Sequence, residues 1–147
     1  MTLESSEFFN NEKMPSRFTC DNANVSPPLT IIEPPPEAQS LVLLMEDLDS
    51  EGSPWLHWLV WDINPLISEI QEDEAPDGAV EGMTSFGTTG YGGPCPKTGT
   101  HRYVFRLIAI DTVLGLTSES QLDEVHVAMD GHIIEEAEPL VVYYTRE

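Results

Sequence analysis

Basic residues are scarce in this chain: six lysines and arginines stand against 26 aspartates and glutamates, a formal net charge of -20. A nucleic-acid backbone would be repelled by such a surface, so nucleic acid is excluded as a partner and anionic membrane surfaces are disfavoured. Cysteine is limited to Cys20 and Cys95, far apart and without paired spacing. That pattern excludes a CxxC metal site and suggests no disulfide framework, so both are expected as free thiols. Long apolar runs are missing as well. No eighteen consecutive apolar residues occur, and the first twenty residues carry Glu4, Glu7 and Glu12 in place of a leader-like apolar core. The expectation is a cytoplasmic protein with no stable membrane insertion. Repeats and low-complexity tracts are absent, and 147 residues fit a single domain, 1–147, large enough to bury a core without metal or disulfide staples.

What is present is organised around residues 89–111, TGYGGPCPKTGTHRYVFRLIAID. Gly90, Gly92, Gly93, Pro94, Pro96 and Gly99 give the first half turn conformations that bulkier residues resist and leave backbone N–H groups uncovered. The second half is a strand of alternating faces, with His101, Tyr103, Phe105 and Leu107 on one side. Titratable tips thus sit at the end of an apolar row. Lys97, Arg102 and Arg106, half of all the basic residues, fall within ten positions here, making a less negative patch where a small anion could settle.

Two further strands have the same design. Residues 41–47, LVLLMED, form a continuous apolar run suited to a strand covered on both faces, with Leu41, Leu43, Met45 and Asp47 sharing a side. Residues 55–63, WLHWLVWDI, read as a central strand with Trp55, His57, Leu59, Trp61 and Ile63 on one side. Shorter strands are expected at 17–20, 29–32 and 140–145. Residues 65–81 read as an acidic surface excursion with one helical turn near 67–71. A helix capped by Ser118 or Ser120 should run to Met129, and a second short one should cover 132–137, with Glu135 and Glu136 at its favourable end. Many strands, few helices and no alternation between them predict a mainly β, antiparallel architecture with short helices near the C-terminus.

Asp47, His57 and His101 each lie at or near the end of an apolar strand. If those ends meet, they build a pocket of one carboxylate, two imidazoles, the Tyr103 phenol and the amides of the Gly93 loop, a donor set suited to phosphate or carboxylate. Two other chemistries can be written on the same residues. Cys95 beside His101 would suit a hydrolase nucleophile, and Asp47, His57 and His101 are types that hold zinc or iron. No oxyanion hole, orienting partner or ligand spacing supports either, so no catalytic residue, metal or cofactor is assigned.

The segments NVSPPL (24–29), EDLDSEGSPWLHWLVWDI (46–63), FGTTGYGGPCPKTGTHRYVFRLIAID (86–111) and MDGHIIEEAE (129–138) resemble, in order, the phosphatidylethanolamine-binding protein or Raf kinase inhibitor-like family, in its bacterial and archaeal branch. The resemblance implies an antiparallel β-sandwich with an anion pocket at its rim that takes phosphoryl headgroups. Carried over motif by motif, it implies Asp47, Asp49, Trp55, His57, Gly93, Pro94, His101 and Tyr103 as ligand-binding residues. It also implies a homodimer and, from the family's name, a kinase or protease as protein partner. One departure stands out: Leu48 occupies a position where the family usually has proline.

Overall fold

The computed structural model describes residues 1–52 and 54–147; Ser53, within the matching segment 46–63, lies outside the described residues. The chain runs through β1 (Thr2–Glu4), β2 (Glu12–Lys13), a 3-10 turn (Ser16–Phe18), β3 (Leu29–Ile32), β4 (Ser40–Asp47) and β5 (Trp55–Ile63). It continues through β6 (Glu69–Ile70), β7 (Val80–Glu81), β8 (Gly99–Ile110), α1 (Leu122–Met129), β9 (Ile133–Glu136) and β10 (Leu140–Arg146). The larger sheet has the order β2-β10-β8-β4-β5-β7, with β9 also on β8; the smaller has the order β1-β3-β6. Pairing is antiparallel except where β2 joins β10 in parallel.

The large sheet is covered on both faces. On one side Leu41, Leu43, Met45, Trp58, Val60 and Phe105 pack with Leu3, Leu29 and Ile31 of the small sheet. On the other, Val42, Leu44, Leu59, Trp61 and Ile108 pack against Val125 and Met129 of α1. This is the burial that an uninterrupted apolar run such as β4 requires, since an alternating strand would put polar groups into one of the two cores. Antiparallel β-architecture, a terminal strand and a helix ending at Met129 agree with expectation.

Several local expectations fail for identifiable reasons. Residues 17–20 carry a 3-10 turn and its exit, not a strand; Phe18 and Thr19 donate back to Pro15 and Ser16 carbonyls. Residues 67–71 contribute the short β6, and 132–137 form β9, not a helix, because Ala137 and Asp111 complete ladder bonds with β8 and His132. Glu135 therefore has no helix dipole to answer and instead accepts from the Met1 ammonium. The helix begins at Leu122 with the Gln121 N–H donated to the Glu124 carboxylate, not with a serine cap.

The strict alternation assumed for β5 is broken by a bulge. Met45 pairs with Trp58 and Glu46 with Leu56, so β4 advances one residue while β5 advances two and His57 is the extra one. Before the bulge Trp55 and His57 share the side of Asp47; beyond it Leu59 and Trp61 turn to the opposite core.

Both cysteines, expected as free thiols, are joined in a Cys20–Cys95 disulfide. The segment 16–24 lies along the loop 90–96. The Tyr91 hydroxyl donates to Phe18 O (2.8 Å), the Gly93 N–H to Asn24 Oδ1 (2.8 Å) and the Cys20 N–H to Pro94 O (3.2 Å). A Cβ at Gly93 would stand 2.1 Å from Phe18 O, so glycine is what admits the close approach. The pairing was invisible in the sequence because 75 positions separate the two residues.

Gly82 has a comparable role in the core, where an added Cβ would fall 2.2 Å from the ring of fully buried Trp61. Gly82→Ala should therefore lower unfolding free energy by about 1–3 kcal/mol, the cost of overpacking, measured by urea denaturation. An unchanged midpoint would show that Trp61 is free to shift.

Candidate functional site

A cavity of about 600 Å³ opens at the end of the large sheet where β4 finishes and β5 and β8 begin. Both neighbours run antiparallel to β4, so its end lies near their beginnings: Asp47 is in register with Trp55, the first residue of β5, and with Tyr103, the fifth of β8. Asp47, His57 and His101 thus reach the same cavity from three adjacent strands, as the convergence argument required.

His101 Nδ1 lies 2.7 Å from Asp47 Oδ2, while Asp47 Oδ1 accepts the Asp49 N–H at 2.8 Å. Asp47 is 5% exposed, so its carboxyl is largely removed from water and spent on these two donors. His57, 3% exposed, donates Nδ1–H to Gly92 O at 2.6 Å. A carbonyl can only accept, which fixes the tautomer of neutral His57 and leaves Nε2 with a lone pair. Its ring meets Phe86 and Tyr103 edge-on, with centroids 5.2 and 5.3 Å away. Burial pushes its pKa below the ordinary histidine value, opposed by the Gly92 bond and the Asp47 charge.

Tyr103 lies beneath both imidazoles rather than on the cavity surface, and burial, with Asp47 and Asp49 nearby, pushes its phenol well above the ordinary value. Among the described residues its hydroxyl is the buried side-chain polar atom without a hydrogen-bond partner. Asp49 lines the cavity and is held at about pKa 2 by the Arg102 guanidinium, which contacts both its oxygens at 2.9 and 3.0 Å. Trp55 (40% exposed) and Phe86 (45%) make an edge-to-face pair at the mouth. Gly93 and Pro94 are buried behind the wall, and the Gly93 N–H is already donated to Asn24. The wall itself is Cys95, Pro96, Lys97 and Thr98.

Phe86 and the wall residues Pro96 and Thr98 escaped the sequence reading. Phe86 had one available signal, its place before the Gly87 turn, but its contact with His57 depends on residues 84–92 folding back over β5. Leu48, the departure from the family pattern, donates its N–H to Arg102 O at 2.9 Å, a bond that proline could not make. The nucleophile reading has no Cys95 thiol to use while the disulfide stands. Among the described residues no three His, Cys, Asp or Glu side chains are grouped as a metal would need, so Asp47, His57 and His101 do not form that set. No described helix is long and apolar enough to cross a membrane.

A family model described as phosphatidylethanolamine-binding protein matches residues 4–145. Curated relatives include a UPF0098 protein of Methanothermobacter thermautotrophicus, 42% identical over 97% of this chain and 98% of its own length, and one of Chlamydia pneumoniae, 40% identical over the same shares. Among solved structures, a phosphatidylethanolamine-binding protein homologue from Chlamydia trachomatis superposes with a TM-score of 0.94 at 36% identity, covering 99% of this chain and 97% of that one. YbcL of E. coli, described as a member of the mammalian family of that name, superposes at 0.91 with 27% identity, covering 99% and 98%.

The burial of His57 generates a pH prediction. In an NMR titration its midpoint should lie below the ordinary value of about 6.5 and should rise when Phe86→Ala lets water reach the ring. Below about pH 6.5 the unfolded chain takes up a proton that folded His57 resists, so its contribution to stability falls as pH falls toward the depressed midpoint. A midpoint at or above the ordinary value would contradict this environment.

Proposed function

The chain belongs to the phosphatidylethanolamine-binding protein family, and from that premise we propose that it is a binding module whose rim cavity receives a small phosphoryl or carboxyl group, alone or as the tip of a larger ligand. One observation carries the reading. Each cavity imidazole commits Nδ1 to a fixed protein acceptor, Asp47 for His101 and Gly92 O for His57, and so holds Nε2 for another partner.

The two nitrogens suit different parts of one anion. Neutral His57 offers an Nε2 lone pair, which would accept the proton of a monoprotonated phosphate. His101 turns Nδ1 to the Asp47 carboxylate, and as an imidazolium it would donate Nε2–H to an anionic oxygen. Lys97 adds a positive charge at the wall, and two of the acids lining the cavity are engaged, Asp47 with His101 and Asp49 with Arg102. The Trp55–Phe86 pair at the mouth favours a ligand with an apolar or cationic group beyond the anion.

The fold supplies rigidity for this work. The three polar residues stand on strands whose apolar partners fill two cores, so little ordering entropy would be spent when a ligand enters.

Isothermal titration with inorganic phosphate, phosphoethanolamine and phosphoserine should give one site per chain. His101→Ala should weaken binding about tenfold or more, the loss of a charge-assisted hydrogen bond. Affinity should rise as pH falls through the histidine range. Absent binding, or binding indifferent to His101→Ala and to pH, would overturn the reading.

A further inference from the structure

One wall of the cavity differs from the others in how it is held. Asp47, His57 and His101 stand on hydrogen-bonded strands, whereas residues 95–98 precede β8 and belong to no helix or strand. Among the described residues, Arg146 makes the side-chain hydrogen bonds to this stretch, at 3.4 Å to Pro96 O, near the limit for a bond to oxygen, and at 3.5 Å to Cys95 Sγ. The other contacts of segment 16–24 end on Tyr91, Gly93 and Pro94, upstream of the wall. The covalent Cys20–Cys95 bond is the tether at the wall itself.

The same wall brings Lys97, the one lysine or arginine among the described residues lining the cavity, to a site that also holds Asp47, Asp49 and Glu51. Neither cysteine belongs to a hydrophobic core cluster, and Cys95 is exposed while Cys20 is half-buried. A reductant can reach the bond, and breaking it removes nothing from either core.

We propose that Cys20–Cys95 is a redox latch on the anion cavity, closed in the disulfide state and released by a dithiol. A thiolate of the dithiol attacks one Sγ, forming a mixed disulfide and expelling the other cysteine as a thiolate that takes up a proton. The second thiol of the reductant then displaces the remaining cysteine. The protein gains two thiols and the dithiol becomes a disulfide, two electrons and two protons having moved to the protein. Residues 95–98 lose their covalent tether, Lys97 leaves the cavity, and the Glu51 carboxyl faces an entering anion with less opposition. The latch rests on the anion-binding reading, since what it regulates is that affinity.

Calorimetry with inorganic phosphate on the full chain, oxidised and then reduced with dithiothreitol, tests the latch. Thiol counting verifies each state and far-UV circular dichroism follows the sheet. Reduction should weaken binding about tenfold with an unchanged β-sheet spectrum, and reoxidation should restore it. Cys20→Ser, which breaks the bond from outside the cavity, should bind like the reduced chain with or without dithiothreitol. Lys97→Gln should weaken the oxidised chain to a similar extent. Equal affinity in both redox states would overturn the latch and leave the anion pocket standing. Loss of the β-sheet spectrum on reduction would also overturn it, marking the disulfide as a global staple. An oxidised chain that binds no phosphate would remove the pocket and the latch together.

Discussion

The antiparallel pairing of β4 with both of its neighbours is the constraint on which the site depends. An antiparallel ladder sets the end of one strand against the beginning of the next, so the last residue of β4 meets the opening residues of β5 and β8 with no further instruction. Asp47 is that last residue, and His57 and His101 are each the third residue of a neighbouring strand. The bulge at His57 adds a local correction: Trp58 is returned to the core of the small sheet while His57 stays on the cavity side. Bulges commonly bend a strand and re-aim a side chain in this way. The two cores then fix the ladder, because a slip of one residue in β4 would exchange its two apolar faces and carry Asp47 away from the cavity.

Charge within the cavity is arranged against the trend of the whole chain. A net charge of -20 would discourage any anion, yet the carboxyls nearest the imidazoles are occupied. Asp47 accepts from His101 and from the Asp49 backbone; Asp49 is gripped by Arg102, whose own backbone N–H it also accepts at 2.7 Å. The Arg102 carbonyl in turn receives the Leu48 N–H, so residues 47–49 are bound to the start of β8 by both backbone and side chain. Leucine at position 48 contributes one bond to this link that an imino acid lacks.

Much of this was legible before any coordinates. A strand buried on both faces leaves a nearly continuous apolar signature, and LVLLM carries it unbroken while VFRLIAI carries it around Arg106. A titratable residue at the end of each such run is conspicuous for the same reason. What remained hidden depends on contacts between distant segments. Cys20 and Cys95 have no spacing that announces a bond, and only the packing of residues 16–24 on the glycine loop brings their Cα atoms within 5.4 Å. The apolar pair Ile133 and Ile134 fits a helix or a strand equally well over so short a span, and the free edge of β8 decides for β9. Phe86 reads as an ordinary loop aromatic until the residues after it fold back over His57.

The central claim is that His57 and His101, each pinned through Nδ1, present Nε2 to a single cavity. Long-range proton–nitrogen NMR of the two imidazoles during a titration with phosphate tests it most directly. His57 should be in the Nδ1–H tautomer before addition, and both Nε2 resonances should move together with one dissociation constant. An Nε2–H tautomer for His57, or an Nε2 signal that stays still on either ring while phosphate binds, would contradict it.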